Sequence, residues 1–176
     1  MKKTIITIVC LLSFTLTAVA QDIVGIWTTG ENYNAGEKSL VSFYYTFSNS
    51  GHATLFMSNR YANDNPLLAS VGDVRIYAEL QGRYFIEGGK GLTINFDRST
   101  AKVSVDYIPK AGMDAQTVSN NKAKLNERIM QMKDMIVAVM PLSLLTQITY
   151  FNGNCMTLHN TNNEVNNYTR VESIKK

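Results

Sequence analysis

The feature that most constrains the fold of this chain is a period-two alternation of apolar and polar side chains along most of its length. In VSFYYTF (41–47), the odd-numbered residues are apolar or aromatic and share one face of an extended strand. SNSG follows as a turn, and HATLFMS (52–58) returns with the same alternation, which predicts a β-hairpin. Strands of this kind bury one face and leave the other solvated, as in an antiparallel sheet.

Six further segments are predicted to be strands, and the alternation recurs in the first three of them. These are VRIYAELQGRYFIEG (74–88), GLTINFD (91–97), KVSVDYI (102–108), LLTQITYF (144–151), NCMTLHN (154–160) and EVNNYTRV (164–171). Gly82 interrupts the first of them, as expected where a long strand bends or bulges in a closing sheet. With one more strand near the start of the chain, the sequence predicts about nine strands.

One long segment, from about Asp114 to Met140, has a helical period instead. Its apolar residues recur at steps of four, three, four and three, which predicts one buried helix face: Leu125, Ile129, Met132, Ile136 and Val139. We expect this face to pack against the sheet, and a pliable methionine-rich lid over an apolar cavity is the alternative. Pro141 ends the helix, because proline lacks the amide hydrogen and crowds the preceding turn.

Many short antiparallel strands joined by turns indicate a mainly β fold. We predict an up-and-down β-barrel of about eight or nine strands, with one long helix inserted before the last three. Closing into a barrel removes the exposed strand edges that an open sheet would leave. An open sandwich with the helix packed across one face is the second possibility.

The first 20 residues have the pattern of a secretory signal peptide. Lys2 and Lys3 precede an apolar run, and Ala18-Val19-Ala20 forms an A-x-A cleavage signal. Cys10 lies within the apolar run and is not preceded by the small residue that a lipid-modification site would have. We therefore expect an exported protein, periplasmic or extracellular, whose mature chain is one domain of residues 21–176 with no transmembrane segment.

The net charge and the cysteine count bear on which functions and which stabilising bonds we expect. Removing Lys2 and Lys3 lowers the 17 basic residues to 15 against 14 acidic residues, so the mature chain is almost neutral. A neutral surface gives no support for nucleic-acid binding, which needs a clustered basic footprint. Of the two cysteines, Cys155 alone remains after cleavage, so no intrachain disulfide can form.

No catalytic, metal or cofactor motif stands out. His52 and His159 lack a neighbouring Cys, Asp or Glu at zinc-type spacing, and we interpret them as separate surface residues. Cys155 and His159 lie four residues apart in one strand, about 13 Å at strand rise, which is too far for proton transfer. We therefore expect Cys155 to be a small, largely buried side chain. Glu79 and Glu87 are interpreted as ordinary surface charges, and we predict that the protein is not an enzyme.

The stretch Gly25-Ile26-Trp27 resembles the G-x-W signature of the lipocalins and of lipocalin-like domains in small secreted bacterial proteins. In that family the tryptophan lies on the first strand at the base of the barrel, with a basic residue of the last strand across its ring. Arg170 in YTRV stands in that position. The resemblance implies that Gly25, Trp27 and Arg170 close the barrel floor. In animal lipocalins, however, the helix follows the eighth strand, whereas here three strands follow it.

The inward-facing apolar residues suggest a function. We expect a small apolar or amphipathic molecule to bind inside the barrel against this set: Phe43, Tyr45, Leu55, Met57, Ile76, Ile94, Val105 and Tyr107. A barrel of about eight strands is either filled by its own side chains or leaves room for one small ligand. If it is filled, the alternative is a protein-interaction or inhibitor module that acts through loops such as Asn59–Asp73, with an unknown protein partner.

Overall fold

The computed structural model describes residues 23–36, 38–61 and 71–174 and confirms the predicted fold class. Eight antiparallel strands close into one barrel in the order of the chain, and the last strand pairs with the first. The strands are β1 (Gly25–Asn34), β2 (Ser39–Phe47), β3 (His52–Tyr61), β4 (Gly72–Glu87), β5 (Gly91–Pro109), β6 (Ser143–Phe151), β7 (Cys155–Asn160) and β8 (Val165–Val171). The predicted signal peptide, residues 1–20, lies outside the described residues.

The up-and-down order gives the barrel two different ends. The floor contains the start of β1 and the turns between β2 and β3, β4 and β5, and β6 and β7. The mouth contains the connections between β1 and β2, β3 and β4, and β7 and β8. Two helices, α1 (Ala115–Gln131) and α2 (Lys133–Ala138), follow β5 and also lie at the mouth end.

The count of eight strands instead of nine has a local cause. The segments GLTINFD and KVSVDYI belong to one long strand, β5, that pairs with β4 along almost its whole length. Between these two segments β5 contains a bulge. Glu79 of β4 pairs with Lys102, but Gln81, two residues later, pairs with Asp97, so β5 has extra residues here. Thr100 holds the bulge in place, because its Oγ1 accepts the Gln81 amide at 2.8 Å and donates to the Asp97 carbonyl at 2.6 Å.

Gly82 follows this irregularity in β4. A Cβ atom there would overlap the carbonyl oxygen of Asn95. Glycine is therefore required because β5 approaches the β4 backbone closely, in agreement with the predicted bend or bulge.

The predicted helix is interrupted. Asp114 caps α1 by accepting the Thr117 amide at 2.9 Å, and the helix ends at Gln131, with α2 beginning one residue beyond Met132. The interruption changes which face of α2 is buried: Val137 is 3 % exposed and Val139 is 76 % exposed. The prediction that Val139 belongs to the buried stripe is therefore wrong, because the helical period does not continue through Met132.

One contiguous cluster of buried side chains occupies the barrel interior from floor to mouth. Ile23 and Trp27 lie at the floor, and Val137 of α2 and Met140 after it belong to the same cluster. Between them aliphatic side chains pack with several aromatic rings, and the Phe47 and Tyr84 ring centroids are 5.0 Å apart and those of Tyr45 and Phe96 6.3 Å apart. At these positions the barrel is filled by its own side chains.

Candidate ligand-binding cleft

A cleft of about 420 Å³ opens at the mouth, between α1, the end of β3 and the start of β4. It is half enclosed, and most of its lining is apolar. The lining residues are Tyr61, Val71, Val74, Ile76, Asn121, Lys124, Leu125, Arg128, Ile129 and Met132.

The apolar wall of the cleft is formed by one face of β4 and one face of α1, which pack against each other. Val74 and Ile76 alternate along β4 and point toward the helix, and both are buried. Leu125 and Ile129 lie four residues apart on α1, which places them on one helix face. These four side chains belong to one cluster, separate from the interior cluster, so the cleft has a packed apolar base of its own.

Tyr107 connects the elements around this cleft. Its hydroxyl donates to the carbonyl of Val71 at 2.8 Å and accepts the side-chain amide of Asn121 at 3.3 Å. The ring is buried in the same cluster as Val74 and Ile129. Tyr107 therefore links β5, α1 and the start of β4, and it sets the spacing between the two walls of the cleft.

The rim of the cleft is basic. Lys124 and Arg128 lie four residues apart on α1 and are exposed at the cleft edge. Among the described residues, no carboxylate lines the cleft and neither cation forms an ion pair. The described ion pairs lie elsewhere: Asp73 bridges Arg60 and Arg75, and Glu79 approaches Lys102.

The eight residues predicted to bind a ligand do not surround one common space. Tyr45, Leu55, Met57 and Ile94 belong to the interior cluster, and Phe43 packs against it. The remaining three, Ile76, Val105 and Tyr107, belong to the cluster at the mouth.

Of the eight, Ile76 alone is among the residues that line the cleft. The helical side of the site contains Leu125, Ile129 and Met132, a stripe that we expected to pack against the sheet, with a methionine-rich lid over an apolar cavity as the alternative. Sequence reasoning missed Tyr61 and Val71, which stand at the two ends of the β3–β4 connection.

Inside the filled part of the barrel, two tyrosines form a buried pair. The rings of Tyr45 and Tyr168 are 5.6 Å apart and nearly perpendicular. Burial and the proximity of Tyr168 raise the pKa of Tyr45 far above its usual value. Burial also raises the pKa of Tyr168. Tyr45, one of the residues predicted to bind a ligand, therefore already packs against another side chain of the barrel interior.

The residues predicted to close the floor do meet. Trp27 and Arg170 are register partners on β1 and β8, and the guanidinium carbon lies 4.9 Å from the indole centroid. The fully buried indole also donates from Nε1 to the Ile23 carbonyl at 2.7 Å and lies 5.7 Å from the Phe151 ring. Gly25, at φ +142°, faces the Arg170 side chain, and a Cβ there would lie 3.4 Å from its Nε.

The other polar candidates lie apart from the cleft. His52 is exposed and bonds the Ser50 hydroxyl through Nδ1 at 2.8 Å, and His159 is paired with Gln147 on β6. The expectation of a largely buried Cys155 is wrong: it begins β7 just after a turn, on the solvated face, and is exposed. No group of three or more metal-ligating side chains occurs in the described part of the chain.

The chain matches no protein-family model, and no curated protein has significant sequence similarity to it. The functional interpretation therefore depends on the fold and on the residues around the cleft. Within residues 23–36, 38–61 and 71–174, no helix is long and apolar enough to cross a membrane.

Proposed function

We propose that this protein is an exported, lipocalin-like binding protein that holds a small apolar or amphipathic molecule without catalysis. The observation that carries the proposal is the apolar cleft of about 420 Å³ at the mouth of the barrel. Sites for small molecules are concave, mostly apolar and roughly 300–1,000 Å³ in volume. The cleft has these properties and a preformed wall on both sides.

The filled interior supports a site outside the barrel interior. The interior residues Tyr45, Leu55 and Ile94 are in contact with their neighbours in one close-packed cluster, and displacing them would cost packing energy. Binding in the cleft requires less loss of packing energy than binding in the interior, because the wall residues Leu125 and Met132 are already partly exposed to solvent. Covering them with an apolar ligand removes further apolar surface from water. We therefore propose that the ligand binds between α1 and β4, where Ile76 alone of the eight predicted residues lines the site.

The proposal is tested by titrating purified residues 21–176 with a neutral fluorescent apolar probe such as N-phenyl-1-naphthylamine. We expect a saturable increase in fluorescence at one site and displacement by an unlabelled single-chain amphiphile. A signal that rises linearly with probe concentration, with no displacement, would contradict a ligand-binding function. N-terminal sequencing of the protein from its native host tests export, because the proposal expects a mature chain that starts at Gln21.

A protein-interaction or inhibitor function is the second candidate, and the filled interior is the observation that favours it. The loop Asn59–Asp73 was predicted as its contact surface, and residues 62–70 of that loop lie outside the described residues. The same titration separates the two candidates, because a protein-interaction module is expected to give no saturable small-molecule signal.

A further inference from the structure

The cleft combines an apolar base with two cations at its rim. Val74, Ile76 and Ile129 form the buried base, while Lys124 and Arg128 carry their charges at the exposed edge. A ligand that covers the base with an apolar chain would therefore place its other end beside the two cations.

The pair of cations is unfavourable for the helix itself. Like charges four residues apart on one helix face repel and destabilise the helix. Among the described residues neither cation has an ion-pair partner, and the neighbouring carboxylate of Glu127 accepts the Gln131 side-chain amide at 3.3 Å. The repulsion between Lys124 and Arg128 would be relieved by an anion that binds between them.

The two side chains also suit a carboxylate. An arginine guanidinium can donate two parallel hydrogen bonds to one carboxylate, and a lysine ammonium adds a mobile point charge. We infer that the ligand of this cleft is a single-chain amphiphile with an anionic head group, whose tail packs on Ile76 and Ile129 and whose head binds Lys124 and Arg128. This inference rests on the proposed binding function and specifies the charge of its ligand.

The test compares three amphiphiles with the same alkyl chain and different heads: a carboxylate, an alcohol and a trimethylammonium. Each competes with the neutral fluorescent probe on the parent protein, on the double variant Lys124→Gln/Arg128→Gln and on the control Lys122→Gln. Lys122 is an exposed lysine of the same helix that does not line the cleft. The neutral probe also shows whether each variant retains a folded cleft.

We expect the parent to prefer the carboxylate, and the double variant to lose carboxylate affinity by about ten- to a hundredfold, as for lost hydrogen bonds between charged groups. Alcohol and neutral-probe binding should stay the same, Lys122→Gln should behave like the parent, and added salt should reduce the carboxylate preference. The inference of an anionic head group would be wrong if the parent bound all three amphiphiles with equal affinity, or if the double variant kept the carboxylate affinity of the parent. Neither result would contradict the proposed binding function. Failure of the neutral probe to saturate on the parent would overturn both.

Discussion

The guanidinium of Arg170 lies over the indole of Trp27, with its central carbon 4.9 Å from the ring centroid. The two residues are register partners on the last and first strands of the barrel. A cation over an aromatic face within about 6 Å gains about 0.5–2 kcal/mol, and more when water is excluded. The contact therefore joins the two ends of the chain at the floor.

A double-mutant cycle measures this contact. We expect Trp27→Ala to lower the free energy of unfolding by about 3–5 kcal/mol, because a fully buried aromatic is removed. Arg170→Ala should cost less, and the double variant should lose less than the sum, because residues in contact are energetically coupled. Urea denaturation of the four proteins provides the values. Plain additivity would show that the cation does not stabilise the floor.

The interruption at Met132 predicts different effects for two neighbouring valines. Val137→Ala should lower the free energy of unfolding by roughly 1.5 kcal/mol, because two buried methyl groups are lost from the interior cluster. Val139→Ala should change it by less than about 0.5 kcal/mol, because that side chain is 76 % exposed. Thermal melts compare the pair directly. Equal losses, or a larger loss at Val139, would favour one uninterrupted helix.

The buried tyrosine pair predicts a loss of stability in alkali. Burial raises the pKa of Tyr45 in the folded state above its value of about 10 in the unfolded chain. Its contribution to stability is therefore fully present below about pH 10 and is lost as pH rises toward the folded-state pKa. Tyr45→Phe removes this titration, so the variant should lose less stability than the parent as pH rises from about 10 to about 12. Identical pH profiles from denaturant melts would contradict this role of burial.

Asp114, the N-cap of α1, predicts a loss of stability in acid. Hydrogen bonds from the Thr117 hydroxyl and amide lower the pKa of Asp114. Its contribution is present above about pH 3.9, the unfolded value, and is lost as pH falls through the lower folded-state pKa. Asp114→Asn should flatten the acid side of the stability profile, because an asparagine still caps the helix but does not titrate. Melts followed by circular dichroism test this, and an unchanged acid slope would count against it.

Most of the fold could be predicted because alternation is a local property of the sequence. Each strand face follows from its period, whereas the position of Arg170 opposite Trp27 was expected only from the resemblance to the G-x-W signature. The join within β5 could not be predicted, because DRST (97–100) has the composition of a turn and its bulge depends on Thr100 contacting Gln81. The helix break at Met132 has no glycine or proline to mark it.

The cleft was harder to predict for a different reason. Periodicity shows that Ile76 and Ile129 each belong to a buried face, but it does not show that those faces meet. Their contact depends on how α1 returns over the mouth, which is a tertiary property. The basic rim could not be predicted for the same reason. In the sequence, Lys124 and Arg128 are ordinary solvated helix charges, and only the tertiary structure shows that they lie beside an apolar wall.

Filling the cleft tests ligand binding at this position most directly. Leu125→Trp places a larger ring in the cleft, whereas Met130→Trp places the same ring on a 60 % exposed position of the same helix that does not line the cleft. Both variants and the parent are titrated with the neutral fluorescent probe. We expect Met130→Trp to bind like the parent and Leu125→Trp to lose most of its saturable signal while retaining a cooperative melt. Undiminished binding by a folded Leu125→Trp protein would contradict a ligand site between α1 and β4.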